Sequence, residues 1–216
     1  SLAKKTLAKY QPGIIGVTGS VGKTSTKEAI YAVLRNFRRV RSNSRSFNGE
    51  IGLPLTILGD WRDEDLKLVS REYPSGKNRF RKIFFWLKVI LASFWRVYCV
   101  RDRAYPEILL LEYGADKPGD LDYLINIAKP QIAVITAVGE VPAHVEHYSD
   151  PAALAREKRK LVEALPANGF AVLNFDDQIV FSMKEIVQTP VFTFGFGEGA
   201  QVRINHFENR SDDGKP

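Results

Sequence analysis

The sequence predicts an α/β fold: a mostly parallel sheet flanked by helices, with an amphipathic helical segment inserted into it. Three observations carry the prediction. Short, almost wholly apolar runs recur along the chain, and they suit strands buried on both faces. Stretches with apolar residues at helical spacing separate these runs, and a glycine-rich turn joins the first run to the first such stretch. Strands that alternate with helices imply parallel pairing through right-handed crossovers, with ligands bound beyond the carboxyl ends of the strands.

The first strand is expected at residues 13–17. A helix over residues 23–37 follows, with Ala29, Ile30, Val33, Leu34 and Phe37 as the stripe against the sheet and Lys27, Glu28 and Arg35 in water. The second strand, residues 108–111, has acids at both ends. Gly119 and Asp120 then open a helix carrying Leu121, Leu124, Ile125 and Ala128, which stops before Pro130. Residues 132–136 are the next strand. Ser149-Asp150-Pro151 reads as a helix start, a capping side chain followed by proline in the first turn, and that helix runs to about Leu165. Asn168-Gly169 ends it. Strands at 170–173 and 191–194 complete the series.

A chain of 216 residues with 44% hydrophobic and 26% charged content is long enough for one good core, so one domain over 1–216 is expected. The single cysteine, Cys99, cannot form an internal disulfide, and no secretory signal opens the chain; both features fit a cytoplasmic setting. A net charge of +6 favours anionic partners. Basic clusters at 35–45, 77–82 and 156–160 lack the interleaved aromatics of a DNA- or RNA-binding module. They read as solvated faces, and no nucleic-acid partner is expected.

Between the first strand and the first helix stands Thr18-Gly19-Ser20-Val21-Gly22-Lys23-Thr24, followed by Ser25. Strand, glycines, lysine, hydroxyl and amphipathic helix are in the order that a phosphate-binding loop requires, so the fold class narrows to a P-loop NTPase-like domain. Backbone N–H groups would curl around phosphate oxygens at the helix N-terminus, Lys23 would reach the β and γ phosphates, and the Thr24 hydroxyl would hold magnesium. Val17 stands where the common motif has its first glycine. The competing reading is a tight turn with an incidental lysine.

The spacing Gly16-x-Thr18-Gly19-x-x-Gly22-Lys23-Thr24 resembles the nucleotide loop of the Mur ligases, the ATP-dependent amide ligases of peptidoglycan precursor synthesis. Other segments point the same way. Phe47-Asn48-Gly49-Glu50-Ile51-Gly52-Leu53-Pro54 is similar to the family's segment after the first helix, with Gly49 where an asparagine is usual. Glu112-Tyr113-Gly114-Ala115 resembles its Glu-x-Gly-Ala element, and His144-Val145-Glu146 its His-x-Glu or His-x-Asp element, with His147 a competing candidate. Ala155-Arg156-Glu157-Lys158 is similar to its Ala-Lys-x-Lys stretch, and Asn174-Phe175-Asp176-Asp177 to its Asn-x-Asp-Asp.

The resemblance implies the family's central ATP-binding domain, with ATP and Mg²⁺ as cofactors. It assigns catalytic roles to Lys23 and Lys158, the latter as a possible carbamylated lysine. Nucleotide contacts fall to Thr18 through Ser25 and to Asn174, metal contacts to Thr24, Glu112 and His144, and a substrate contact to Asn48. For Asp176 and Asp177 the plain alternative is capping of the next helix. The implied partners are a UDP-muramoyl peptide and D-alanyl-D-alanine; folylpolyglutamate- or cyanophycin-synthetase-like ligation is an alternative, as is a non-catalytic nucleotide-binding scaffold at the membrane. The family's adenine loop is expected beyond residue 216, so the chain is expected to be cut at its C-terminal end and to bind nucleotide weakly and turn over poorly by itself.

Residues 61–105 are an insertion relative to the family pattern. Within them, residues 80–100 are rich in aromatic and aliphatic side chains, and Arg81, Lys88 and Arg96 fall on one side of the helical wheel. Two readings stay open: an amphipathic helix packed on its own domain or a partner subunit, and a segment lying peripherally in the membrane interface at the inner face of the plasma membrane, with Trp86 and Trp95 as anchors. Lys88 and Arg96 speak against a full span.

Overall fold

Each apolar run becomes a strand because its neighbours supply the backbone partners that it cannot find in water. In the computed structural model, which describes residues 1–44, 47–70, 78–139, 148 and 151–206, the strands are β1 (Gly13–Thr18), β2 (Val40–Ser42), β3 (Ile108–Glu112), β4 (Ile132–Ile135), β5 (Phe170–Asn174), β6 (Val191–Gly195) and β7 (Val202–Arg203). They form one sheet in the order β2-β3-β1-β4-β5-β6-β7, and every pairing is parallel. β1 lies between β3 and β4, where the chain switches from one side of the sheet to the other. Ligand crevices of doubly wound sheets open there.

The helices are α1 (Leu2–Tyr10), α2 (Lys23–Leu34), α3 (Gly52–Leu58), α4 (Asp63–Val69), α5 (Arg79–Tyr98), α6 (Asp120–Ile127), α7 (Pro151–Glu163) and α8 (Gln178–Ser182). They divide unequally. Ile14, Leu109, Leu111, Ala133, Ile135, Ala171 and Leu173 face the large core, which the helices other than α2 supply. Ile15, Val17, Leu110 and Val134 face the other way and meet Ile30, Tyr31 and Leu34 of α2.

That asymmetry corrects the reading of α2. The helix ends at Leu34, and Val33 and Phe37 stand 60% and 73% exposed. Lys27, expected in water, is wholly buried. The reason is register. Lys27 follows Lys23 by four residues and Thr24 by three, so it shares their face of the helix, and that face turns toward the end of β3. Only Ile30, Tyr31 and Leu34 are left to cover the sheet.

β2 escaped the sequence reading because three residues with Arg41 in the middle look like a basic turn. Its guanidinium donates to the carbonyls of Thr56 and Ile57, so β2 and α3 satisfy each other's polar groups. Residues 61–105, expected to be an insertion, contain α4 and α5, and α5 packs on its own domain. Phe85, Val89 and Ser93 point inward at helical spacing, Phe85 and Val89 join the large core, and Trp61 meets Phe85 edge-on at 5.9 Å. Lys9 of α1 donates to the carbonyls of Arg96, Val97 and Val100, closing the C-terminal end of α5. Of the cationic stripe, Arg96 reaches the Leu58 carbonyl and pairs with Asp102 at 3.3 Å, and Lys88 pairs with Asp65 at 3.4 Å. Among the described residues no helix is long and apolar enough to cross a membrane.

Candidate nucleotide site

The turn between β1 and α2 is shaped by two left-handed glycines, Gly19 at φ +148° and Gly22 at φ +84°. At Gly19 the tertiary structure enforces the choice twice, since a Cβ there would sit 2.1 Å from Thr136 Oγ1. Thr136 itself donates to the Val21 carbonyl at 2.6 Å, and Ser20 N donates to Ala137 O at 2.6 Å. The loop is thus fastened to the chain that leaves β4. Lys23 folds back over it, donating to the Gly19 and Ser20 carbonyls at 2.8 and 3.0 Å. The Ser20 hydroxyl is buried with no hydrogen-bond partner among the described residues. A loop with a folded-back lysine and an unused hydroxyl fits a phosphate group.

Glu112, at the carboxyl end of β3 and 1% exposed, gathers the site. Its Oε2 accepts from Thr24 Oγ1 at 3.0 Å, its Oε1 accepts from Asn48 Nδ2 at 3.0 Å, and Lys27 stands 3.8 Å from Oε2. Asn43 fixes the backbone beneath it, accepting from Glu112 N at 2.8 Å. Lys27 is tied in turn to the Asn43 carbonyl at 2.5 Å and to Glu28 at 3.2 Å. A buried carboxylate is tolerated only with such partners.

A hydroxyl and a carboxylate oxygen side by side at the edge of a phosphate loop fit magnesium, which takes few protein ligands and completes its shell from water and phosphate. Among the described residues no three His, Cys, Asp or Glu gather closely enough to form a metal cluster by themselves. Thr24 and Glu112, in contact with each other, could hold the ion.

α7 brings Lys158 to the same place. The side chain is 2% exposed, and burial, with the nearby charge of Lys23 acting in the same direction, pulls its pKa down to about 8; Asp116, Glu157 and Asp120 oppose the shift. Lys23 is also lowered by burial, with Glu112 and Asp116 resisting. Glu157, on the same buried side of α7, accepts from the backbone N–H groups of Gly119 and Leu121 at 3.0 Å each. It thereby caps α6 and fixes α7 against it. Next to Asn48 a cavity of about 350 Å³ opens, lined among others by Gly49, Gly114, Asp116, Asp120 and Leu124.

Comparison with known proteins adds what geometry alone does not. Residues 100–215 match the Mur ligase middle domain. The chain belongs to the Mur ligase family. It is 32% identical over 187 residues to the UDP-N-acetylmuramoyl-tripeptide–D-alanyl-D-alanine ligase of Mycobacterium leprae, covering 85% of this chain and 28% of that protein. It is 30% identical over 179 residues to the Bacillus subtilis ligase of the same name, covering 83% of this chain and 30% of that one. The MurF ligase of Thermotoga maritima, solved in complex with ADP, superposes with a TM-score of 0.64 at 30% identity, over 91% of this chain and 35% of that one. The chain therefore spans about a third or less of the length of these relatives.

Within this Mur ligase domain, the structure brings together Thr18, Gly19, Ser20, Gly22, Lys23, Thr24, Asn48, Glu112 and Lys158. Thr18 is buried and donates to the Tyr113 carbonyl at 2.8 Å, which ties the loop to β3. Val21 is 70% exposed and Ser25 lies exposed in the first turn of α2. Asn174 stands apart: β4 separates its strand from β1, and its Oδ1 accepts from Asp176 N at 3.0 Å. Asp177 takes the plain role, capping α8 through Val180 N at 3.0 Å and also accepting from Val138 N and Gly139 N. Burial would raise its pKa, but these backbone donors outweigh that and hold it low. His144, its rival His147 and the caps Ser149 and Asp150 lie outside the described residues.

Asn43, Lys27, Asp116 and Thr136 belong to the arrangement and were missed. For Lys27 the signal was available, because its spacing from Lys23 and Thr24 marks the same helix face. Asn43 and Thr136 carry no local signal, since their partners lie 69 residues and 115 residues away.

Proposed function

We propose that this domain binds Mg-ATP for a ligase that joins the carboxylate of a UDP-muramoyl tripeptide to D-alanyl-D-alanine. The observation that carries the reading is the contact of Thr24 with Glu112 beside the folded-back Lys23, in a domain whose relatives bear that ligase name. Magnesium held by Thr24 and Glu112 would supply charge neutralisation at the phosphates. Lys23, released from its carbonyls, would offset negative charge on the transferred phosphoryl oxygens. A substrate carboxylate oxygen would take the γ-phosphoryl group, with ADP leaving. The amine of D-alanyl-D-alanine would then attack the acyl carbon, losing a proton as inorganic phosphate departs.

In this reading Asn48 orients Glu112 at the mouth of the neighbouring cavity, where the peptide end of the substrate would lie, and Lys158 acts as a carbamate once carbon dioxide has added to its neutral amine. The setting is the cytoplasm, at the inner face of the membrane, with lipid contact through residues 80–100. Phosphate release by the full-length protein, supplied with both substrates, tests the proposal. Release should require both substrates and Mg-ATP and fall by at least about a hundredfold in Lys23→Ala, in line with the loss of a group stabilising transition-state charge. Nucleotide binding without substrate-dependent phosphate release would instead favour a non-catalytic scaffold.

A further inference from the structure

The helix α5 spends one face on its own domain and leaves the other in solvent. Phe85, Val89 and Ser93 are buried. On the opposite side Phe80, Phe84, Leu91 and Trp95 are 88%, 76%, 68% and 60% exposed, with Leu87 and Phe94 among them. A continuous apolar face along a helix of 20 residues is more than scattered surface hydrophobics, and faces of this kind mark interaction sites.

Charge selects the occupant. From Arg79 to Arg101 the chain contains no aspartate or glutamate, while Arg79, Arg81, Lys82, Lys88, Arg96 and Arg101 are cationic. Arg81 and Lys88 are exposed and lie between the packed face and the apolar one on one flank, and Arg79 is exposed on the other. Pairing with a second copy of this helix would set cations against cations with no acid on either helix to answer them, and Asp65 of α4 is already paired with Lys88. A surface with an apolar interior under a layer of anionic headgroups satisfies both parts at once. Tryptophans suit the boundary between them: Trp86 lies at one edge of the apolar face and Trp95 at the other.

We propose that α5 docks lengthwise on an anionic lipid surface, burying Phe84, Leu91 and Trp95 in the acyl boundary while Arg79 and Arg81 meet phosphate headgroups. This goes beyond the lipid contact named with the ligase reading by fixing which face enters and which lipid charge it needs, and none of these residues belongs to the nucleotide site. Ligation and docking can therefore fail separately.

The test is co-sedimentation of the full-length protein with vesicles of phosphatidylcholine, alone or mixed in equal parts with phosphatidylglycerol. Binding to the mixed vesicles should be stronger by on the order of tenfold or more, given about 1 kcal/mol per basic residue near such a surface, and should weaken with salt. Leu91→Glu with Trp95→Glu should abolish it. Both positions are exposed, and an unchanged circular dichroism spectrum would verify that the fold survives. Brominated lipid should quench Trp95 emission, read as the difference between parent and Trp95→Phe. A protein that stays in the supernatant, equal binding of parent and double variant, or a dimer in which Trp95 is shielded from brominated lipid would each overturn the proposal.

Discussion

Lys27 shows how much one side chain can decide. It lies fully buried between Glu112 and Glu28, so removing its charge would leave the carboxylate of Glu112 buried with less compensation. Lys27→Met should destabilise the domain by about 3 kcal/mol, the usual cost of breaking a buried pair, read as a shift in the urea midpoint; an unchanged midpoint would show the pair to be dispensable. Lys158 makes a pH prediction. Because its folded-state pKa is about 8 against an ordinary 10.5, the folded protein binds fewer protons than the unfolded chain between those values. Stability therefore rises with pH across that window, and the part contributed by Lys158 is lost as pH falls through about 8. The neutral amine that carbon dioxide needs becomes the major form above about pH 8. With ¹³C-labelled bicarbonate, a carbamate signal should grow through that pH and be absent in Lys158→Arg; a signal retained in the variant would place the carbamate elsewhere.

At the scale of elements, α5 is held by short polar ties as well as by its apolar residues. Lys9 serves three carbonyls at the end of α5, and hydrogen bonds from a charged donor contribute about 1.5–3 kcal/mol each when fully formed. Two of these bonds are part-buried and one is exposed, so Lys9→Met should cost on the order of 3 kcal/mol in all, with hydrogen exchange accelerated first at the C-terminal turn of α5. The nucleotide loop is the opposite case, a turn with no slack. Gly19→Ala would force a methyl group into Thr136 and should remove Mg-ATP binding in calorimetry. Gly49 differs, because nothing lies within 4 Å of a Cβ built there. Gly49→Asn, the residue usual in the family's pattern, should change stability by no more than about 0.5 kcal/mol.

At the scale of the whole molecule, a ligand that binds only the folded state must stabilise it. Mg-ATP at about a hundred times its dissociation constant should add roughly 2.7 kcal/mol, visible as a rise in Tm that Lys23→Ala abolishes. The alternation of β1, β3, β4, β5 and β6 with α2, α6 and α7, the position of the phosphate loop and the acid at the end of β3 were legible in the sequence, whereas α1, α3 and α4 were not read from it. The legible features rest on local properties: apolar runs, glycines that allow positive φ, and a lysine and hydroxyl at the start of a helix. The three-residue β2 and two-residue β7 were not legible, because strands so short exist only by pairing with a neighbour. Nor could the sequence say that Asn43 would cradle Glu112 or that α5 would turn its most apolar side outward. Those outcomes depend on which surfaces meet when distant segments pack, and periodicity along one helix gives the direction of its faces without naming what lies opposite them.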